Sequence, residues 1–288
     1  MANESLKTAY QYIIPKHLIS RLVGRLAESK TGWLKRMFIN WFANKYQVNM
    51  AEAAIEDLNQ YACFNDFFTR ELKPDARPID STFDMMCPVD GEVSQLGPIE
   101  QDDIFQAKGH TYNLATLLGD ESHAKDYENG AFATLYLSPK DYHRIHCPVD
   151  AELIGMTYIP GDLFSVNQVT ARTIPNLFAR NERLVVYLKT EHGPLAMVFV
   201  GATIVASIET VWSGIVTPPV GPSIHHWSYV DQNISFKQND ELGRFRLGST
   251  VVMVAPNGML DWNDQLSAGS PLTLGQGLAN WQSATPQE

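Results

Sequence analysis

Two hydrophobic periodicities divide this chain of 288 residues. Up to residue 46, apolar positions recur every three or four residues. Leu6, Tyr10, Ile13, Ile14, Leu18, Leu22 and Leu26 follow this rule across 5–29. Trp33, Leu34, Met37, Phe38, Trp41 and Phe42 follow it across 32–46. That spacing predicts two helices, the first interrupted before Pro15, which lacks the N–H a helix interior needs. Residues 48–60 read as a further short helix. From residue 84 the pattern changes. Runs rich in Val, Ile, Phe and Tyr at 86–96, 131–138, 151–158, 184–190, 195–207, 209–216, 225–230 and 250–254 are separated by Pro, Gly, Asn and Asp. They predict strands joined by turns. The apolar run at 196–207 contains Gly201 and meets Glu209 before reaching bilayer-spanning length, so it reads as buried strand. Residues 111–127, with Leu114, Leu117 and Leu118, predict a helix within the body.

Helices of 10–15 residues do not alternate with these strands, which disfavours a parallel α/β arrangement. The expected fold class is α+β: a mainly antiparallel β body behind an N-terminal amphipathic helical segment. The run Lys73-Pro74-Asp75-Ala76-Arg77-Pro78 reads as an extended link. It sets the expected division at 1–74 and 75–288. The tail after about 270 is polar and turn-rich, and its last ten residues are expected to be mobile.

Charge sharpens this division. The whole chain carries a formal charge of -10, yet residues 1–45 hold eight Lys or Arg against Glu4 and Glu28, a local +6. An acidic body argues against a nucleic-acid partner. Tryptophan and basic residues on amphipathic helices suit the headgroup zone of an anionic membrane; packing on the body or a dimer contact would use the same pattern. Phe64 to Leu72, with three phenylalanines and Arg70, reads as a docking element. No secretory h-region is visible at the N-terminus. Cys63, Cys87 and Cys147 form neither a disulfide framework nor a metal spacing, which favours a reducing compartment.

Three features carry candidate chemistry. His143 and His146 lie in Asp141-Tyr142-His143-Arg144-Ile145-His146, where imidazoles suit proton transfer near neutrality. Asp90 precedes Gly91 and could orient an imidazole or simply begin a turn. Gly248-Ser249 stands before Thr250 and the apolar run 251–254. With no side chain on Gly248, the main chain can bend so that the Ser249 hydroxyl attacks the Gly248 carbonyl while a base takes its proton. The resulting ester could be broken by β-elimination, and the new N-terminus of 249–288 would become a pyruvoyl group. The same residues also allow a serine hydrolase acting on external acyl groups, or a β scaffold in which Gly-Ser-Thr is only a turn.

Motifs along nearly the whole chain narrow these alternatives. They are FNDFFTREL at 64–72 with RPID at 77–80, PVDG at 88–91, AKGHTY at 107–112 and YLSPKDYHRIHCP at 136–148. PGDLFSVN at 160–167, NLFARNER at 176–183, VGATIVASIET at 200–210 and RLGSTV at 246–251 continue the series. In this order they resemble the phosphatidylserine decarboxylases of the bacterial, membrane-associated, pyruvoyl-dependent type. The resemblance implies cleavage between Gly248 and Ser249, with Ser249 becoming the pyruvoyl cofactor and no metal required. It implies that His146 is the base for self-cleavage, oriented by Asp90, and that His143 assists decarboxylation. The implied reaction takes phosphatidylserine to phosphatidylethanolamine through a Schiff base, within phospholipid biosynthesis. It further implies a homodimer of processed units, peripheral on the cytoplasmic face of the inner membrane. Ser165 and Asn167 are candidate headgroup donors, although a structural turn explains them as well. Lys140, Arg144, Arg180 and Arg183 are unranked candidates for the phosphate.

Overall fold

Past its first seventy residues the chain is mostly short strands, interrupted by short helices at 114–127 and 168–180. The computed structural model describes residues 8, 10–107, 109–203, 207–217, 222–246 and 249–282. Its α-helices are α1 (Lys16–Ala27), α2 (Gly32–Tyr46), α3 (Phe64–Phe68), α4 (Leu114–Leu118), α5 (Glu121–Ala124), α6 (Gln168–Thr173) and α7 (Leu177–Arg180). The first strands are β1 (Met85–Met86), β2 (Gly91–Pro98), β3 (Asp103–Ala107), β4 (His110–Asn113), β5 (Ala131–Leu137) and β6 (Arg144–His146). Next come β7 (Ala151–Ile159), β8 (Arg183–Thr190), β9 (Gly193–Val200), β10 (Ile208–Thr210), β11 (Gly214–Ile215) and β12 (His225–Ser228). The last are β13 (Ser235–Phe236), β14 (Glu241–Phe245), β15 (Ser249–Ala255), β16 (Leu260–Trp262), β17 (Pro271–Leu272) and β18 (Gly277–Trp281).

A nine-stranded sheet organises the body, in the order β12-β7-β8-β9-β15-β5-β2-β17, with β13 also on β7. Its ladders are antiparallel. A four-stranded sheet, β11-β10-β14-β6, and a three-stranded one, β1-β18-β16, lie beside it. Both faces of the large sheet are covered. Val251 and Met253 join one buried cluster with Leu135, Phe199 and Ile145. Val252 and Val254 join another with Phe132, Val198 and Phe178. This double burial explains why 251–254 is continuously apolar rather than alternating: successive side chains face opposite sides, and neither side meets water. The predicted α+β class is therefore borne out, as is an antiparallel body behind helices.

Local expectations fared unevenly. The helix expected over 111–127 is strand β4 followed by α4, α5 and a 3-10 turn at Lys125–Tyr127. Asn113 caps α4 and Asp120 caps α5 with their side chains, so capping groups and Gly119 in the left-handed region divide the run. Of 48–60 only a 3-10 turn at Met50–Glu52 is helical. The strand expected at 86–96 breaks around Cys87–Asp90, and that at 195–207 ends at Val200, with 204–206 outside the described residues. Of the ten residues expected to be mobile, 279–281 lie in a strand. β18 pairs with β1 and β16, tying residues 277–281 into the body; residues 283–288 lie outside the described residues.

The N-terminal helices have their own aromatic core. Ile39, Phe42 and Ala43 of α2 pack with Ala27, Tyr61, Phe64, Phe67 and Phe68. Helix α1 is turned the opposite way from a core helix. Its Lys16, Ser20 and Ala27 are buried, whereas Leu18, Leu22 and Leu26 are about half exposed. Ile13, Trp33, Met37 and Trp41 are exposed as well. None of the helices among the described residues is long and apolar enough to cross a membrane.

Candidate active site

Two chain crossings meet at the site. The connection from β5 to β6 carries residues 138–143, and that from β14 to β15 carries 246–248. Because β5 pairs with β15 and β6 with β14, both connections leave the large sheet for the smaller one side by side. Ser249 stands opposite Leu137 in the ladder, and the Phe245 N–H donates to the His143 carbonyl at 3.0 Å. Gly248 lies outside the described residues, and of Ser249 only the main chain is described. Topology thus brings the strand that starts at Ser249 beside the loop that ends at His143, across more than a hundred residues of sequence.

Asp141 shapes that loop by accepting the Ser138 N–H at 2.7 Å, and burial pushes its carboxyl pKa up. His143 is fully buried beneath the Phe68 ring, 4.0 Å between centroids. Its Nδ1–H donates to the Asp141 carbonyl at 2.9 Å, while Nε2 has no partner among the described residues. A carbonyl can only accept, so this contact selects the tautomer with its lone pair on Nε2. Burial pushes the His143 pKa down to about 3, so the ring is neutral around pH 7.

His146 lies three ladder positions further on, about 10 Å along the strand by ordinary strand rise. Here Arg144 and His146 line a cleft of about 220 Å³ with Arg77, Tyr142, Asn239 and Glu241, while Ile145 points into the core. The His146 Nδ1–H donates to the Asn239 carbonyl at 2.7 Å, and Nε2 accepts the Tyr142 hydroxyl at 3.1 Å. Burial lowers its pKa, opposed by the Asn239 hydrogen bond and by the charges of Glu241 and Asp90. Both ring nitrogens are therefore engaged, and neither reaches Asp90.

Asp90 is gripped instead by Arg77. Its Oδ1 accepts Arg77 Nε at 2.9 Å and its Oδ2 accepts Nη2 at 2.6 Å, while the Leu274 N–H completes the set at 2.8 Å. Asn239 adopts a left-handed conformation, φ 74°, that aims its carbonyl at His146. Arg77, Tyr142 and Asn239 were missed as site residues. Arg77 and Tyr142 lay inside quoted motifs, yet nothing in their spacing announced a partner. The Asn239-Asp240 pair carried only a turn signal.

The candidate substrate residues separate on inspection. Asn167 caps α6 through Val169 and Thr170, and its Nδ2 donates to the Ser165 hydroxyl. The Ser165 N–H donates to Gln11 Oε1 at 3.0 Å. Loop 160–167 touches the sheet near residue 249: the Thr203 N–H donates to the Phe164 carbonyl, three residues past Val200, which stands opposite Thr250. Among the cations, Arg183 is buried on the carbonyls of Thr116, Leu117 and Asn181. Arg144 is committed to Thr69, Glu71 and Glu241. Arg180 pairs with Asp162 and stacks over Phe164, and the Lys140 side chain is exposed. No three His, Cys, Asp or Glu side chains converge as a metal set among the described residues.

Comparison with known proteins specifies the class to which this antiparallel β body, with two histidines at a sheet crossing and helices at its N-terminal end, belongs. The family model described as phosphatidylserine decarboxylase matches residues 64–280, and a shorter one described as PSD matches 6–47. The phosphatidylserine decarboxylase proenzyme of Shewanella sp. (strain W3-18-1) is 54% identical over 283 residues, covering 96% of this chain and 98% of its own. That of Shewanella halifaxensis (strain HAW-EB4) is 53% identical over 282 residues, with the same coverages. The chain belongs to the phosphatidylserine decarboxylase family, and it is an enzyme, a decarboxylating lyase.

Proposed function

We propose that this protein converts phosphatidylserine to phosphatidylethanolamine after cleaving itself between Gly248 and Ser249, residue 249 becoming a pyruvoyl group. One structural observation carries most weight: the strand that begins at Ser249 emerges beside the loop of His143, whose buried Nε2 has no partner among the described residues. An orphaned, neutral imidazole nitrogen in a dry setting fits a group that must move a proton near a reacting carbon. Once formed, the pyruvoyl group would supply a ketone for the substrate amine and a sink for the electrons left behind by carbon dioxide.

The chain's own residues divide the remaining work. The His143 Nε2 lone pair takes up the proton that the substrate ammonium sheds and passes it to the carbon that loses carbon dioxide; the Phe68 ring above it keeps water away. His146 serves self-cleavage as base, its tautomer set by the Asn239 carbonyl. Asp90 acts on His146 through its charge rather than by a hydrogen bond, since its carboxylate is taken by Arg77. Ser165 and Asn167 shape the loop beside the headgroup. With Arg183 and Arg144 fully engaged, Arg180 and Lys140 are the better phosphate candidates.

The helical unit to about residue 74 is proposed to sit on an anionic membrane at the cytoplasmic face. Its outward leucines and tryptophans support the contact with lipid, and the family resemblance supports the sidedness. The same resemblance supports a homodimer of processed units, for which the exposed edge strand β12 offers a surface. Intact-mass measurement tests the reading. A 40-residue chain, 249–288, with a ketone at its N-terminus is expected. Full activity from an unbroken chain would overturn it.

A further inference from the structure

The residue two places ahead of Gly248 is held unusually firmly for a loop. The Arg246 N–H donates to the Ser207 carbonyl at 2.9 Å. Its guanidinium reaches two carboxylates: Nε and Nη2 meet Glu209 Oε2 at 3.0 and 2.8 Å, and Nη1 meets Glu28 Oε1 at 2.5 Å. Glu28 is the C-cap of α1, and the same Oε1 accepts Asn65 Nδ2 at 3.0 Å. One carboxylate oxygen therefore joins α1, the turn of helix α3 and the strand end that leads to residue 249.

We propose that Arg246 is a positioning residue for self-processing and that Glu28 makes this positioning depend on the docked N-terminal helices. The inference rests on the reading above that the 248–249 bond is the one cleaved. Its physical basis is the short span involved. The chain is pinned at Arg246 and again at Ser249, where β15 begins opposite Leu137. Three residue steps separate the anchors, at most about 11 Å. Intramolecular attack gains its rate from a main chain already held near the reactive geometry. Releasing one anchor enlarges the set of conformations the bond can sample, so fewer are reactive. The N-terminal unit then contributes to making the active enzyme as well as presenting apolar side chains outward. The two tasks fall on opposite sides of α1, since Leu18, Leu22 and Leu26 face solvent while Glu28 reaches Arg246.

The test follows processing of the full-length precursor, made by cell-free synthesis without vesicles, by intact mass over time. Melting temperature is measured on the same samples. Glu28 is half exposed, so Glu28→Gln keeps the fold. Loss of a partly exposed ion pair is expected to slow appearance of the 249–288 chain by about threefold. The gap should close near 1 M salt, where charges are screened within about 3 Å. Arg246→Gln loses both partners and should slow processing more. Arg246→Lys keeps the charge without the fork and should recover part of the rate. If Glu28→Gln and Arg246→Gln process at the native rate, whatever their melting temperatures, the contacts are mere staples and the proposal is wrong. If the native precursor itself never releases 249–288, the self-processing reading falls, and this inference with it.

Discussion

Arg77 and Asp90 form a two-pronged ion pair, with Nε 2.9 Å from Oδ1 and Nη2 2.6 Å from Oδ2, and both side chains largely shielded from water. The same guanidinium reaches Glu52 at 2.8 Å, so the pair also links the N-terminal unit to the body. Removing Arg77 would leave the Asp90 carboxylate buried without its cation. Arg77→Met is therefore expected to destabilise the fold by about 3–5 kcal/mol. The double variant Arg77→Met, Asp90→Leu should lose much less. Chemical denaturation of the four proteins of this cycle measures the difference; equal losses in the single and double variants would contradict it.

His143 gives a prediction about pH. Its folded pKa, about 3, lies below the ordinary 6.5 because burial disfavours the charged ring. Between these values the unfolded chain takes up a proton that the folded one refuses. Stability from this residue is therefore intact above pH 6.5 and falls as pH drops toward 3, by roughly 1.4 kcal/mol per pH unit. His143→Gln should show a shallower decline of melting temperature over that window. Parallel curves for the two proteins would refute the assignment.

The Phe68 ring supplies part of that burial. Phe68→Ala should cost about 3–5 kcal/mol as a buried aromatic is lost. It should also let water reach the imidazole, raising the His143 pKa toward its ordinary range. Proton NMR titration of the ring reads the second effect directly; an unmoved titration would show that other groups enclose it.

Gly91 follows Asp90 at a point of close main-chain approach. A Cβ there would lie 2.1 Å from the Tyr136 carbonyl oxygen, which belongs to the ladder neighbour of β2. Backbone cannot swing aside as a side chain does. Gly91→Ala is expected to lower stability by at least about 1–3 kcal/mol and to impair processing through the displaced β5 end. Wild-type melting and processing in this variant would count against the tight fit.

Leu22 and Trp33 are exposed on the N-terminal unit, at 51% and 65%. Replacing both with serine should leave the melting temperature nearly unchanged, as surface substitutions usually do. Sedimentation with anionic vesicles should fall, because the buried apolar area that anchors such helices is reduced. Unchanged sedimentation would show that another surface holds the lipid.

Much of this molecule could be read from its sequence. The helical period through residue 46 and the strand-rich body reflect local physics, since side-chain direction repeats every 3.6 residues in a helix and every two in a strand. His143, His146, Asp90 and Ser249 could be named as candidates because their chemistry is intrinsic to their side chains and their motifs resemble those of a family. What periodicity could not tell was which way a stripe faces. The leucines of α1 could by their spacing have faced lipid or packed on the body, and they stand outside in the structure. Hydrogen-bond partners were equally hidden. His146 takes its orienting carbonyl from a residue 93 positions away, and Asp90 takes a main-chain N–H from one 184 positions away. Composition also suggested that the chain is mobile from residue 279, whereas 279–281 belong to β18, which closes a sheet with β1 and β16. Local sequence determines the conformations each segment prefers; only packing the segments together decides which polar atoms meet, because those choices depend on desolvation and on neighbours brought from elsewhere in the chain.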